Sequence, residues 1–142
     1  TFLTINSGNK YYLSQILDRK VAKWLDENLS GTTILTDSSS AFTILVNSKD
    51  TKKFLITSDY AFKSALNDPP GKNVDYILIP KPLANAQKSS INTKYPTLYE
   101  QGNEWATLYH DFEDQWRLYK VKKWDPTKAG AASTESVPAD KP

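Results

Sequence analysis

Leu13, Ile16, Leu17, Val21, Trp24, Leu25 and Leu29 recur at three- and four-residue steps. This spacing predicts an amphipathic helix over residues 10–29, stopped by Gly31. Three short apolar runs follow: TTILTD, ending at Asp37, KKFLITSD (52–59) and VDYILIP (74–80). Each lacks a polar face until its end, so each predicts a strand covered on both sides. AFTILVNSK, between the first two runs, is read as a short helix. DYAFKSALNDPPG, between the second and third, predicts a helix with Phe62 and Leu66 on one face. Asp59 is its expected cap and Pro69-Pro70-Gly71 its stop. Strands and helices alternating over such short connections predict right-handed crossovers and a parallel sheet.

The pattern changes after Pro82. Ile91, Tyr95 and Tyr99, four residues apart, predict a helical stretch that Pro96 breaks in two and Gly102 closes. EWATLYHDF and QWRLYKVKK alternate on either side of Glu113-Asp114, which predicts a terminal antiparallel hairpin. Ala106, Leu108, His110 and Phe112 should share one face of its first strand, and Trp116, Leu118 and Lys120 one face of its second. The expected fold class is α/β: a short, mainly parallel, Rossmann-like sheet with a C-terminal antiparallel hairpin and flanking helices. It should form a single domain over residues 10–124, with 1–9 as a linker. Residues 125–142 have no aromatic and almost no large apolar side chain, so a disordered tail is expected there.

Composition narrows the function classes. Eighteen basic against sixteen acidic residues leave a net charge of +2, too balanced for the concentrated basic surface of a nucleic-acid binder. Without cysteine there is no disulfide, thiol nucleophile or thiolate metal site. Methionine is absent even at position 1, which predicts a processed product or a piece of a longer polypeptide. The sequence has no signal peptide and no apolar run approaching a membrane span, so any membrane tether is expected upstream of Thr1.

Candidate chemistry gathers where the strands end. In open parallel sheets, ligands settle outside the carboxyl ends of the strands. Asp37-Ser38, Ser58-Asp59 and Lys81 all occupy such ends, giving a rim of carboxylates, hydroxyls and an ammonium able to hydrogen-bond sugar hydroxyls. The same residues also suit capping, with Ser39 or Ser40 and Asp59 satisfying orphan helix N–H groups. Trp105, Trp116, Tyr119 and Trp124 concentrate aromatic faces in the hairpin, and Trp105 is taken as the candidate sugar-stacking ring, although core or interface packing is the default reading of such rings. His110, the sole histidine, sits mid-strand between apolar neighbours and reads as structural. Asp111, Glu113 and Asp114 crowd a hairpin tip, unlike a glycosidase pair held across a cleft, and they lack calcium-loop spacing. No catalytic residue, metal ligand or cofactor follows from these patterns. Lys120, Lys122 and Lys123 discourage edge pairing, or meet anionic head groups near a bilayer.

PPGKNVDYILIPKP (69–82) and YPTLYEQGNEWATLYHDFEDQWRLYKV (95–121) together resemble the C-terminal soluble domain of multi-spanning bacterial glycosyltransferases of the GT-C type, often called family 39-like membrane proteins. The resemblance spans roughly residues 10–122 and rests on Pro69 to Gly71, Pro80, Pro82, Tyr95 to Tyr99, Gly102 and Trp116 to Val121. It implies a parent enzyme in the cell membrane that uses a polyprenyl-phosphate sugar, with this domain on the extracytoplasmic (outer) face. The family's catalytic acid lies among the membrane helices and has no counterpart here. The expectation is therefore a non-catalytic domain that positions an acceptor glycan, a lipid-linked sugar or the parent membrane domain. The alternative is a freestanding secreted module binding carbohydrate or protein. A small hydrolase using Asp37 with a nearby serine ranks last.

Overall fold

A computed structural model describes residues 2–84 and 87–123, with side chains from Leu13 onward. Residues 124–142, including Trp124 and the expected tail, lie outside the described residues. The chain folds as α/β, with a five-stranded mixed sheet between two layers of helices. The elements are α1 (Phe2–Asn28), β1 (Ile34–Leu35), α2 (Phe42–Asn47), β2 (Phe54–Leu55), α3 (Phe62–Asn67), β3 (Tyr76–Pro80), α4 (Ser90–Lys94), α5 (Leu98–Gln101), β4 (Ala106–Phe112) and β5 (Trp116–Val121).

The strand order is β2-β1-β3-β5-β4. β1 pairs in parallel with β2 and with β3, as the short connections predict, so their carboxyl ends share one edge. The expectation of a mainly parallel sheet is overturned. Each parallel ladder is two residue pairs long, whereas β3–β5 and β4–β5 form antiparallel ladders of five and six. The hairpin inserts β5 next to β3, and its longer strands carry most of the pairing. Because β5 is antiparallel to both neighbours, the hairpin tip lies at the same edge as the ends of β1 to β3.

Alternation along β3 sets up both faces. Tyr76 and Leu78 point to a core with Leu17, Val21 and Leu25 of α1 and Ile44 of α2. Ile77 and Ile79 point to a second core with Phe62 of α3, Ile91 of α4, and Leu98 and Tyr99 of α5. The helix predicted over 10–29 runs from Phe2 to Asn28, so residues 2–9 are helical where a linker was expected. Its core contacts begin at Leu17, while Leu13, expected inside, is exposed. Asp18 accepts a hydrogen bond from Trp116 Nε1 at 3.1 Å, level with the start of β5.

The four-residue face predicted for β4 also fails, for a definable reason. A bulge between Leu108 and His110 shifts the register. One extra residue inverts the alternation. Ala106 therefore belongs to the α3–α5 core while Phe112 belongs to the α1 core. His110 is carried to the α1 side, where its ring stacks on Trp24 at 4.5 Å between centroids. Glu113 and Asp114 both take left-handed backbone (φ 55° and 52°), the pair of conformations that closes a tight hairpin.

Pro96 separates α4 from α5 as predicted, and Gly102 ends α5 with φ 65°. A β-carbon there would sit 2.8 Å from the Ala106 carbonyl oxygen and 3.1 Å from the Tyr119 ring. Gly102→Ala should therefore lose roughly 2 kcal/mol, from backbone strain and this collision together. Urea unfolding measures it, and a loss under about 0.5 kcal/mol would contradict the assigned strain.

Candidate functional site

Asp37 stands two residues past the end of β1 and is 5% exposed, the one buried carboxylate among the described residues. Its Oδ1 accepts the Ser39 N–H at 2.9 Å, the Ser39 hydroxyl at 2.7 Å and the Ser40 N–H at 3.4 Å. Its Oδ2 accepts the N–H and hydroxyl of Ser90, both at 2.7 Å, from the first residue of α4. Burial alone would raise this carboxyl's pKa. The Ser90 and Ser39 donors outweigh it and bring the group down to about 2. A carboxylate so stabilised is a weak base, and its oxygens are occupied by the chain itself.

The capping roles assigned to neighbouring residues move accordingly. Ser39 and Ser40 do not cap α2, whose first flanking residue is Ala41 with no side-chain cap. Asp37 instead stabilises the turn that enters α2, and its carbonyl accepts the Ala41 N–H at 2.9 Å. Asp59 does not cap α3 either, since Ala61 stands at that position. The Asp59 carboxylate turns back to accept the Ile56 N–H at 2.8 Å. Ser38 gives its N–H to Thr57 Oγ1 at 2.8 Å, lacing the ends of β1 and β2 together.

Among the six sequence candidates, Asp37, Ser38, Ser58, Asp59 and Lys81 stand on the common edge, and Trp105 does not. Trp105 immediately precedes β4 and its carbonyl accepts the Lys122 N–H at 2.7 Å, which puts it at the opposite end of the sheet. Its ring meets Tyr95 edge-on at 5.3 Å and is partly buried in the α3–α5 core. Ser58 is exposed. Lys81 is drawn to the hairpin tip, where Nζ lies 2.8 Å from Asp114 Oδ2.

Between the β1–α2 turn and α4 lies a cleft of about 900 Å³ lined by Asp37, Ser39, Ser40, Gln87, Lys88, Ser90, Thr93 and Lys94. The sequence reading missed its far wall. Ser89 caps α4 through the Asn92 N–H at 3.1 Å, and Asn92 reaches back to the Pro80 carbonyl at 3.1 Å. α4 is thereby tied to the ends of both β1 and β3. The Ser89–Asn92 spacing, a hydroxyl three residues before a polar side chain, was the available signal. Lys88 and Lys94 form no ion pair among the described residues.

Two further clusters were not foreseen. Arg117 Nη1 and the Tyr119 hydroxyl both donate to the Tyr99 carbonyl, at 2.8 and 2.7 Å, satisfying an orphan acceptor in the last turn of α5. The Tyr99 hydroxyl donates to Asp114 Oδ1 at 2.9 Å, and both burial and that carboxylate push its pKa up. Lys53, 3% exposed, ion-pairs with Asp26 of α1. Asp26 also takes the Lys49 N–H at 2.8 Å. Burial would raise the Asp26 carboxyl, but the Lys49, Lys53 and Ser48 donors hold it below its ordinary value. Lys53 precedes β2, at the edge away from the cleft.

No helix among the described residues is long and apolar enough to cross a membrane. Comparison with protein-family models, curated proteins and solved structures finds no match.

Proposed function

We propose that this chain is a non-catalytic domain that holds a hydroxyl-rich ligand, an acceptor glycan or a lipid-linked sugar, in the cleft between Asp37 and α4. The observation that carries this reading is the saturation of Asp37. The buried carboxylate best placed for chemistry is consumed by the Ser39, Ser40 and Ser90 donors, and beside it lies a wall of hydroxyls, an amide and two ammonium groups. Such a surface binds polyols without reacting with them. The parallel half is read as Rossmann-like, with β2 and β3 on opposite sides of β1 and the cleft outside the carboxyl ends.

The parent we propose is a membrane glycosyltransferase that uses a polyprenyl-phosphate sugar, with this domain on its extracytoplasmic face. What supports that reading is that two motifs of the resembling 95–121 segment meet in the fold: Arg117 and Tyr119 of Trp-Arg-Leu-Tyr donate to the main-chain carbonyl of Tyr99 in Tyr-Pro-x-Leu-Tyr. In this setting the domain contributes positioning, lowering the entropic cost of bringing acceptor and donor together.

Titration of the ¹⁵N-labelled domain with neutral oligosaccharides tests the binding role. Amides of Ser39, Ser40, Ser90 and Thr93 should shift, while that of Trp105, at the far edge, should not. Movement confined to Trp105 and its neighbours would place the ligand elsewhere and overturn the assignment.

A further inference from the structure

Tyr60 is 104% exposed, beyond any other large hydrophobic or aromatic side chain described, and it stands in the connection from the carboxyl end of β2 to α3, on the same edge as the cleft. Its backbone is held on both sides. Asp59 exchanges hydrogen bonds with Ile56, N–H to carbonyl at 2.8 Å and carboxylate to N–H at 2.8 Å. The Asp59 carbonyl then accepts the N–H of Phe62 at 3.1 Å, and the Phe62 side chain is buried in the α3–α5 core. The ring is thus presented to solvent from an anchored turn. Beside it is a hollow of about 490 Å³ lined by Tyr60, Ala61, Lys63, Ser64 and Asn67. The Lys63 ammonium forms no ion pair among the described residues.

We propose that Tyr60, Lys63 and Asn67 form a saccharide subsite. The inference rests on the glycan-holding reading of the adjacent cleft and extends it to a second contact. An aromatic face carries negative charge density, which suits the C–H face of a pyranose whose hydroxyls are equatorial. The flanking ammonium and amide supply donors, and the amide oxygen an acceptor, for the hydroxyls projecting from that ring. The expected ligand is a neutral, β-linked pyranose oligosaccharide, with one ring on Tyr60 and the chain continuing towards Ser38 and the cleft.

The test is a titration of the full chain with cellotetraose and with chitotetraose, read by ¹⁵N amide and aromatic ¹³C spectra, on the wild type and three variants. Tyr60→Ala should weaken binding about tenfold or more, and Asn67→Ala several-fold, while Tyr60→Phe stays within about twofold. A fully exposed ring leaves the fold intact when removed, and the amide spectrum verifies this. Shifts at Ser39, Ser40 and Ser90 with an affinity unchanged by Tyr60→Ala would overturn the subsite and leave the cleft reading standing. Binding lost equally in Tyr60→Phe would also overturn it, since stacking needs only the ring. No shift at either place with millimolar oligosaccharide would overturn both.

Discussion

Asp37→Asn should lose about 3 kcal/mol of stability at pH 7, because it turns an amide N–H₂ towards donors that the second carboxylate oxygen now accepts. The pH dependence separates this from ordinary damage. The folded carboxyl titrates at about 2 and an ordinary one near 3.8. A group lowered on folding contributes stability in full above its unfolded pKa and loses it as pH falls through the folded value. Between about pH 5 and pH 2 the wild type should therefore surrender about 2 kcal/mol that Asp37→Asn never had, the small remainder going only below the folded pKa. Urea unfolding at several pH values would show the gap narrowing over that window. A gap that stays constant down to pH 2 would refute the role assigned to Asp37. A reaction centre would behave otherwise, losing activity in the variant with stability little changed.

The second large effect is at Lys53. Lys53→Met removes the ammonium and leaves Asp26, only 15% exposed, facing a buried apolar chain. Breaking a buried pair by deleting one partner costs up to about 3–5 kcal/mol, and about 3 is expected here, since the carboxylate loses its counter-ion but keeps the Lys49 N–H and the Ser48 hydroxyl. Removing both charges should cost less, so Asp26→Leu with Lys53→Met is expected to recover at least about 1 kcal/mol relative to Lys53→Met alone. Thermal unfolding of the two single variants and the double variant checks it. Strict additivity would mean that the pair is not coupled.

Both predictions concern polar groups whose partners are far away in sequence. Asp37 meets Ser90 across 53 positions, and Lys53 meets Asp26 across 27. That distance separates what the sequence made legible from what it did not. The apolar runs at Ile34, Phe54 and Tyr76 were readable as strands because burial on two faces requires an unbroken apolar stretch. Their common direction was readable from the short helical connections, and so was the edge where Asp37, Ser38, Ser58, Asp59 and Lys81 gather. Trp105 was chosen for its aromatic face and not for its place, and its position in the hairpin does not reveal which end of the sheet the strand starts from. Tyr60 was passed over, since a lone tyrosine before a helix is spelled alike whether it packs or faces water.

Taken alone, then, the sequence determined the elements, their order and the direction of the first three strands, because each follows from local periodicity and chain length. Tertiary structure decided the balance of antiparallel pairing, the bulge at Leu108 that turns His110 to the α1 side, and the fate of the rim's polar groups. An acid followed by three serines can hold a ligand or hold its own chain. Only the arrival of α4 within hydrogen-bonding distance of Asp37 determines which, because a short-range interaction depends on proximity in space that no repeat along the chain encodes.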